Sequence, residues 1–197
     1  MHSGGAYGSD FYWGVIGAQY GVIPHHYYYE AEGYDLPPYR NELILETDVE
    51  EGKIKAAVAG AKTFGYDKPV VKNPLLIRNW AQVKYADAVF AVGVIAQIGD
   101  LYSEKDKENP RHFLREMVKG GTGWAVGMAI EEGKPVYVFD QEREQWFEYE
   151  PSFDLFFPLE ETPILTPNFA GIGTRELNDA GRKAIRDIYT KTFGTEP

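Results

Sequence analysis

The sequence predicts an α/β fold with three layers, in which a mainly parallel central sheet lies between helices. Two observations support this fold class. Segments with helical periodicity alternate along the chain with short apolar segments. The two clearest apolar segments, 86–93 and 135–139, lack the every-second-residue alternation of a strand with one exposed face. Strands covered on both faces and joined by helices are typical of a parallel sheet with helices on both sides.

Four elements are predicted before residue 86. In order, they are a helix over 10–20, a strand over 22–30, a helix over 46–64 and a helix that begins at Pro74. The last has a typical start, because Asn73 can cap the first amides and proline suits the first turn. The inward residues predicted for the first helix are Phe11, Val15 and Ile16, and those for the helix over 46–64 are Val49, Ile54, Ala57, Val58 and Ala61.

The second half of the chain continues the alternation. Its predicted elements are a strand over 86–93, a helix over 110–118, a helix over 124–132, a strand over 135–139, a hairpin strand over 145–149, a strand over 164–170 and a helix over 176–193. The final helix has the clearest amphipathic pattern. Its predicted inward residues are Leu177, Ala180, Ala184, Ile185, Ile188 and Tyr189.

Composition narrows the class of protein. The chain has 197 residues, of which 44% are hydrophobic, and this length favours one domain over 1–197. The net charge of -10 makes nucleic acid an unexpected partner, because binding to phosphate backbones requires clusters of Lys and Arg. There is no Cys, no secretory signal pattern and no apolar run near the roughly 20 residues of a membrane-spanning helix. We therefore expect a cytoplasmic protein without a membrane partner.

Three glycine-rich segments stand out, and each precedes a predicted helix. They are Ser3-Gly4-Gly5-Ala6-Tyr7-Gly8, Gly120-Gly121-Thr122-Gly123 and Gly171-Ile172-Gly173-Thr174. The first turn of a helix offers unpaired N–H groups and the positive end of a dipole, and glycine lets an anion approach closely. A single segment of this kind is more often a plain tight turn. Three of them at one sheet edge would form a pocket for a phosphate-bearing ligand.

This interpretation defines a first set of candidate ligand-binding residues. They are Ser3, Gly4, Gly5, Ala6, Gly8, Gly120, Gly121, Thr122, Gly123, Gly171, Gly173 and Thr174. Neither the P-loop signature nor the dinucleotide fingerprint is present, so the ligand is not assigned by a standard nucleotide motif.

The same segments resemble motifs of the SLOG superfamily, a Rossmann-like group that includes DprA, YpsA and the LOG phosphoribohydrolases. Residues 3–10 are similar to its SGGAxGxD segment, 78–89 to its RxxNVxxSDA stretch and 120–135 to its GGT…GKP stretch. Residues 171–176 are similar to a GSR loop that comes first in DprA-like and YpsA-like members. Here that loop comes last, as in a circularly permuted YpsA-like branch, some of whose members have been labelled molybdenum carriers.

A circular permutation is compatible with an intact sheet, because the ends of a compact domain often lie close together. It also accounts for the start of the chain. Only Met1 and His2 precede the first glycine segment, too few for a normal strand, so we expect either a short strand or a misassigned start codon.

The resemblance implies a nucleotide-like ligand, such as a nucleoside monophosphate, ADP-ribose or a dinucleotide, and a homodimer. It implies that residues 3–8 and 120–123 hold phosphate, with hydroxyl groups from Thr122 and Thr174. Arg175 is a candidate for a two-pronged contact with phosphate. A surface ion pair with neighbouring Glu176 is an equally good interpretation.

No resident cofactor or metal ion is predicted. His25 and His26 are adjacent in a predicted strand, so their side chains point to opposite faces. His2 and His112 lie elsewhere in the sequence, and no metal-ligand spacing is present.

Catalysis is left open by the sequence. The LOG enzymes carry a glutamate in their PGGxGTxxE motif, and its place falls on Val126, with Gly127 next, so the LOG mechanism is not expected. Asp10 and Glu176 are substitute candidates for a general acid or base. Acidic residues in the first turn of a helix also stabilise it without any chemistry, and this structural role is the more common one.

Two further features complete the candidate site. Arg78, Asn79 and Gln82 share one helical face and are expected either to hold loops in place or to face the ligand. Trp124 is the aromatic residue expected to contact a base or to seal the site. The sequence therefore predicts a sensor or carrier of a nucleotide-derived ligand. The alternative is a hydrolase of an N-glycosidic or phosphate bond, and a binder of single-stranded DNA is disfavoured by the negative charge.

Overall fold

The structure is a computed structural model that describes residues 1–32, 34–102 and 110–195. The described residues form five helices: Ser9–Gln19 (α1), Glu46–Phe64 (α2), Pro74–Lys84 (α3), Gly121–Glu131 (α4) and Asp179–Phe193 (α5). They also form ten strands: His2–Ser3 (β1), His25–Tyr28 (β2), Glu42–Leu43 (β3), Ala88–Gly93 (β4), Ile95–Ala96 (β5), Met117–Val118 (β6), Val136–Asp140 (β7), Gln145–Glu150 (β8), Leu155–Pro158 (β9) and Phe169–Gly173 (β10).

Eight of these strands form one central sheet in the order β3-β2-β1-β10-β4-β7-β8-β9. The six strands from β3 to β7 pair in parallel, and β8 and β9 extend the sheet as an antiparallel hairpin. The predicted fold class, a three-layer α/β fold with a mainly parallel sheet, is confirmed. The two-residue β1 is the short strand that the sequence leaves room for, and both its neighbours pair with it.

The last strand in sequence, β10, lies between β1 and β4 in the middle of the sheet. If the chain is followed from β10 through α5 and then onward from β1, five parallel strands come in the order β10, β1, β2, β4 and β7, and they can be numbered 1 to 5. In the sheet these five strands lie side by side in the order 3-2-1-4-5. This is the strand order of a Rossmann-like sheet. The topology is therefore the one expected of a circularly permuted Rossmann-like fold.

The core has two halves, one on each face of the sheet. Side chains of β4 alternate between them: Val89 and Ala91 join the half under α2, α3 and α4, and Phe90 joins the half under α1 and α5. Every residue of β4 is buried, as predicted from its unbroken apolar run. No helix of the described residues combines the length and apolar character needed to cross a membrane.

The bounds predicted for α2 match those observed, but the prediction of its buried face is partly wrong. Ile54, Val58 and Ala61 are exposed, and small side chains form the buried face instead. A methyl group added at Gly60 would lie 2.4 Å from the ring of Trp124. Because α2 approaches α3 and α4 this closely, its contact face needs Gly and Ala rather than the larger apolar residues.

The inward face predicted for α1 also needs correction. Val15 is exposed and Phe11 is only half-buried, whereas Trp13 is fully buried. The Trp13 ring packs against Phe169 and Tyr189, with centroids 6.0 and 5.7 Å away. This helix is therefore oriented by one large aromatic side chain that contacts β10 and α5.

The helix predicted over 110–118 is wrong. Only β6 has regular structure there, and it pairs with β5 in an antiparallel ladder. The preceding Arg115 is buried, and its guanidinium donates to Glu131 at 2.9 Å and to Asp154 at 2.9 Å. These long-range ion pairs, rather than a local helical pattern, fix the path of this segment.

The strand predicted over 164–170 and the helix predicted over 176–193 both begin further along the chain. The strand is β10, Phe169–Gly173, and helix α5 begins at Asp179. The Asn178 side chain caps α5 by accepting a 2.8 Å hydrogen bond from the amide of Gly181. The third glycine segment therefore lies in a strand and does not directly open a helix, and Glu176 lies in the connection between β10 and α5.

Candidate functional site

A cavity of about 370 Å³ opens at the sheet edge where β1 and β10 end and α4 begins. β10 leads to α5 on one face of the sheet, and its neighbour β4 leads to α4 on the other face. Such a point, where chain connections diverge, is the usual place for ligands in open α/β sheets. The predicted site residues that line the cavity are Ala6, Asp10, Arg78, Asn79, Gln82, Gly120, Gly121, Thr122, Gly173, Thr174, Arg175 and Glu176.

Asp10 is a buried carboxylate in the first turn of α1. It accepts a 3.2 Å hydrogen bond from the amide of Gly173. Burial raises the pKa of Asp10 above its ordinary value, although Arg78 and three backbone amides act in the opposite direction. Two of these amides, those of Gly4 and Ala6, belong to the first glycine segment. The carboxylate of Asp10 therefore occupies part of the amide cradle that the sequence assigned to phosphate.

Arg78 reaches from α3 across the cavity floor and is 5% exposed. Its Nη1 donates to the carbonyl oxygen of Gly4 at 2.7 Å and to the Tyr34 hydroxyl at 3.3 Å. Its Nε has no hydrogen-bond partner among the described residues. A methyl group at Gly4 would lie 2.3 Å from Arg78 Nη2 and 2.7 Å from Asp10 Oδ2. Gly4 thus lets a buried cation and a buried carboxylate converge on one backbone position.

Asn79 and Gln82 form a short hydrogen-bonded chain that reaches the start of α4. Asn79 Nδ2 donates to the carbonyl oxygen of Gly121 at 3.1 Å, and Gln82 Nε2 donates to Asn79 Oδ1 at 3.1 Å. Both side chains also line the cavity. Their contact with the start of α4 and their place in the lining agree with both interpretations that the sequence left open.

The first turn of α4 faces the cavity through Gly120, Gly121 and Thr122. Gly120 has a φ of 74°, a conformation that favours glycine. No side chain of the described residues caps this helix. The amide of Gly123 donates to the carbonyl oxygen of Gly120 at 3.2 Å, so the amides of Gly121 and Thr122 and the positive end of the helix dipole are the groups that could attract an anion. The side chain of Lys119, just before this turn, is exposed and adds a positive charge to the lining.

The end of β10 closes the opposite side of the cavity. The amide and hydroxyl of Ser9 both donate to the carbonyl oxygen of Thr174, at 3.0 and 2.8 Å. The Thr174 hydroxyl donates to Glu176 at 2.7 Å, which lowers the pKa of Glu176. Glu176 is therefore a charged carboxylate at neutral pH. Exposed Arg175 stands between these two residues and lines the cavity.

The remaining candidate residues do not line the cavity. Ser3 is buried in β1, and Gly5 packs against the carbonyl oxygen of Tyr39. A methyl group at Gly171 would press on the ring of Trp13, and one at Gly123 would lie 2.0 Å from the Val118 carbonyl oxygen. These glycines permit close packing around the site, and Gly8 does the same against the backbone of Arg175.

Trp124 is also outside the lining and is 3% exposed. Its ring packs against Phe64 and Tyr66, and its Nε1 donates to the Tyr102 hydroxyl at 2.8 Å. The interpretation of Trp124 as a residue that contacts a base is therefore replaced by a role in packing α4 against α2.

Sequence reasoning missed five residues of the lining: Leu75, Leu76, Lys119, Ala125 and Ile172. A signal existed for Lys119, because a cation directly before a glycine-rich helix start adds to the attraction for an anion. The apolar residues carried no such signal, since their share in the cavity depends on how α3, α4 and β10 meet.

No group of three or more His, Asp or Glu side chains within the described part of the chain has an arrangement that could hold a metal ion. A scan of the chain against protein-family models finds no matching family, and searches of curated proteins and of solved structures find no match either.

Proposed function

We propose that this protein binds a nucleotide or nucleotide-derived ligand, with a phosphate group at the start of α4. One observation carries the proposal. Three segments that are distant in sequence, around Ala6, Gly121 and Thr174, line one cavity at the divergence point of the sheet. Phosphates bind at such helix starts because several amides and the helix dipole act on the same anion.

The charges of the lining support an anionic ligand. Arg78, Lys119 and Arg175 are its cations, and Asp10 and Glu176 are its carboxylates. Burial raises the pKa of Asp10, whereas Arg78 and the amides of Gly4, Ala6 and Gly173 act in the opposite direction. The α4 dipole adds a partial positive charge of about half a unit. Together these groups favour a ligand with at least one phosphate.

The remaining lining supports a ligand that also has an apolar part. Leu75, Leu76, Ala125 and Ile172 add apolar surface next to the charged groups. The volume of about 370 Å³ falls within the range of roughly 300–1,000 Å³ found for small-molecule sites. A phosphorylated nucleoside has both the anionic and the less polar part that such a cavity requires.

The similarity of the glycine segments to SLOG motifs supports the same ligand class and a role as a sensor or carrier. The permuted strand order agrees with that resemblance, because it returns the GSR-like segment to the middle of the sheet. Membership of the superfamily and assembly into a homodimer belong to the proposal.

The test is a binding measurement with AMP, NAD and ADP-ribose, by calorimetry and by melting temperature. A ligand at one hundred times its dissociation constant raises the free energy of unfolding by about 2.7 kcal/mol. Lys119→Gln and Arg175→Gln should each weaken binding by about tenfold without loss of stability, because both side chains are exposed. Lys68→Gln is the matched control, since Lys68 is exposed and lies outside the cavity. Absence of binding by all three compounds would refute the proposal.

A hydrolase is the second candidate, and the position of Asp10 in the cavity lining is the observation that favours it. As a general acid, Asp10 would give a proton to the leaving base or phosphate. Water would add to the sugar carbon or phosphorus as the bond to the leaving group breaks, and the proton that the water loses would pass to the solvent, from which Asp10 regains its own. Chromatography of the incubated ligands tests this: released base or phosphate that disappears in Asp10→Asn supports an enzyme. Binding without any product supports a sensor or carrier.

A further inference from the structure

An exposed aromatic residue, Tyr7, is next in sequence to a residue of the cavity lining. The side chain of Tyr7 is 65% exposed. It follows Ala6, which lines the cavity. It precedes Gly8, which packs closely against the backbone of Arg175. A methyl group added at Gly8 would lie 2.4 Å from the Arg175 carbonyl oxygen. Tyr7 itself is not a lining residue, but it lies in sequence between Ala6, which lines the cavity, and Gly8, which packs against the lining residue Arg175.

A second layer of aromatic rings supports Tyr7. Its ring makes an edge contact with Tyr39, with centroids 5.8 Å apart and planes at 85°. Tyr39 in turn stacks on Phe11 of α1, at 3.8 Å and 18°. The amide of Tyr39 also donates to the carbonyl oxygen of Gly5 at 3.3 Å. Tyr7 is thus anchored to the helix and loop that supply Asp10 and Ala6 to the cavity.

We propose that Tyr7 is the stacking surface for an aromatic base of the ligand. A T-shaped neighbour covers at most one face of a ring, so the other face of Tyr7 is free for a partner. Every nucleobase has a flat π-face, and stacking on tyrosine is a common way of holding one. This inference rests on the proposed function and narrows it: the ligand carries an aromatic base and is more than a sugar phosphate.

The alternatives within the described residues are less suitable. Trp124 is buried against α2. Phe153 matches Tyr7 closely, with 66% exposure and a T-shaped partner, Phe157, at 5.5 Å. Phe153 lies in the turn between β8 and β9, however, and neither of its neighbours in sequence lines this cavity, whereas Ala6 next to Tyr7 does. The Phe153 pair therefore serves as an internal control for the Tyr7 pair.

The experiment compares AMP with ribose 5-phosphate by calorimetry in four proteins: wild type, Tyr7→Ala, Tyr7→Phe and Phe153→Ala. We expect wild type to bind AMP more tightly than ribose 5-phosphate. Tyr7→Ala should weaken AMP binding by about 5- to 100-fold and leave ribose 5-phosphate unchanged. Tyr7→Phe and Phe153→Ala should keep the wild-type preference, because the first retains the ring and the second lies elsewhere.

The outcomes separate this inference from the proposed function. Equal affinity of the wild type for both compounds, or equal weakening of both by Tyr7→Ala, overturns the stacking role while leaving phosphate binding intact. Melting temperatures of the four proteins without ligand show whether Tyr7→Ala acts through unfolding, and Tyr7→Phe excludes a role of the hydroxyl. A wild type that binds neither of these compounds, nor NAD or ADP-ribose, overturns the proposed function and the stacking role together.

Discussion

Arg78 Nη1 donates a 2.7 Å hydrogen bond to the carbonyl oxygen of Gly4, and both residues are buried. A guanidinium on α3 thereby fixes the backbone turn that follows β1, across the sheet edge where the cavity lies. This contact ties the shape of the proposed ligand site to the stability of the fold, because the acceptor has no access to water.

Arg78→Met is expected to lower the free energy of unfolding by about 2–4 kcal/mol, because it leaves the Gly4 carbonyl without its donor and Asp10 without its neighbouring positive charge. Urea denaturation measures this change. Arg186→Met is the control, since the guanidinium of Arg186 contacts the Tyr12 hydroxyl at the surface. A loss below about 0.5 kcal/mol would show that the Arg78 contact contributes little.

Two glycines of the site are expected to respond in opposite ways to a methyl group. Gly4→Ala should destabilise by about 1–3 kcal/mol, because the methyl meets Arg78 and Asp10, both buried and hydrogen-bonded. Gly121→Ala should be neutral or stabilise by up to about 1 kcal/mol, since nothing lies within 4 Å of its added carbon.

AMP affinity is a second measurement for the Gly121 variant. The methyl of Gly121→Ala projects at the helix start that lines the cavity, so we expect weaker AMP binding despite unchanged stability. Calorimetry on folded protein checks this. Unchanged AMP affinity in Gly121→Ala would place the phosphate away from the start of α4.

Stability should depend on pH through His2 and His26. Burial lowers the pKa of each from 6.5 to about 4 in the folded protein. Between pH 6.5 and 4 the unfolded chain therefore binds more protons, so the free energy of unfolding falls as pH falls through this window. Above pH 6.5 these two histidines do not change the free energy of unfolding. Each histidine contributes roughly 2–3 kcal/mol to the total change.

His26→Leu should remove about half of that pH dependence. The Nδ1 of His26 has no hydrogen-bond partner among the described residues, so an apolar replacement of similar size is tolerated at pH 7. Urea denaturation at several pH values between 4.5 and 7.5 measures the slope. His112→Leu is the control, because His112 is exposed. If the free energy of unfolding of His26→Leu depends on pH as steeply as that of wild type, His26 is not a source of the pH dependence.

Trp124→Phe is expected to lower stability and leave ligand affinity unchanged. The indole Nε1 loses its hydrogen bond to the Tyr102 hydroxyl, and the smaller ring fills less of the space beside Gly60. These losses correspond to about 1–3 kcal/mol. Denaturation and calorimetry check the two halves of the prediction. A change in AMP affinity larger than about threefold, in protein shown to be folded, would restore Trp124 to the site.

The sequence predicts the layers of the fold well because those depend on burial patterns. The unbroken apolar run of β4 and the bounds of α2 could be read directly. The buried side of α2 could not, because contact with Trp124 selects Gly60 over the larger Ile54 and Val58. Hydrophobicity identifies residues that avoid water, and close helix packing instead selects residues that are small.

The sequence likewise predicts only part of the candidate site. The glycine segments indicate where the chain bends around the cavity, and Ala6, Gly121 and Thr174 do line it. What the sequence could not give is which amides are already occupied. The carboxylate of Asp10 takes the nearby amides of Gly4 and Ala6 and also the amide of Gly173, which is far away in the chain.

The position of β10 has a consequence for how the molecule acquires its structure. Until residues 169–173 have been synthesised, β3-β2-β1 on one side and β4-β7-β8-β9 on the other lack the strand that joins them. Between the synthesis of β4 and that of β10 a nascent chain therefore has two open strand edges, at β1 and at β4. Open edges invite pairing with other chains. Of the described strands, β10 is the last in sequence and the one that unites the sheet, so the complete sheet cannot form before β10 is available.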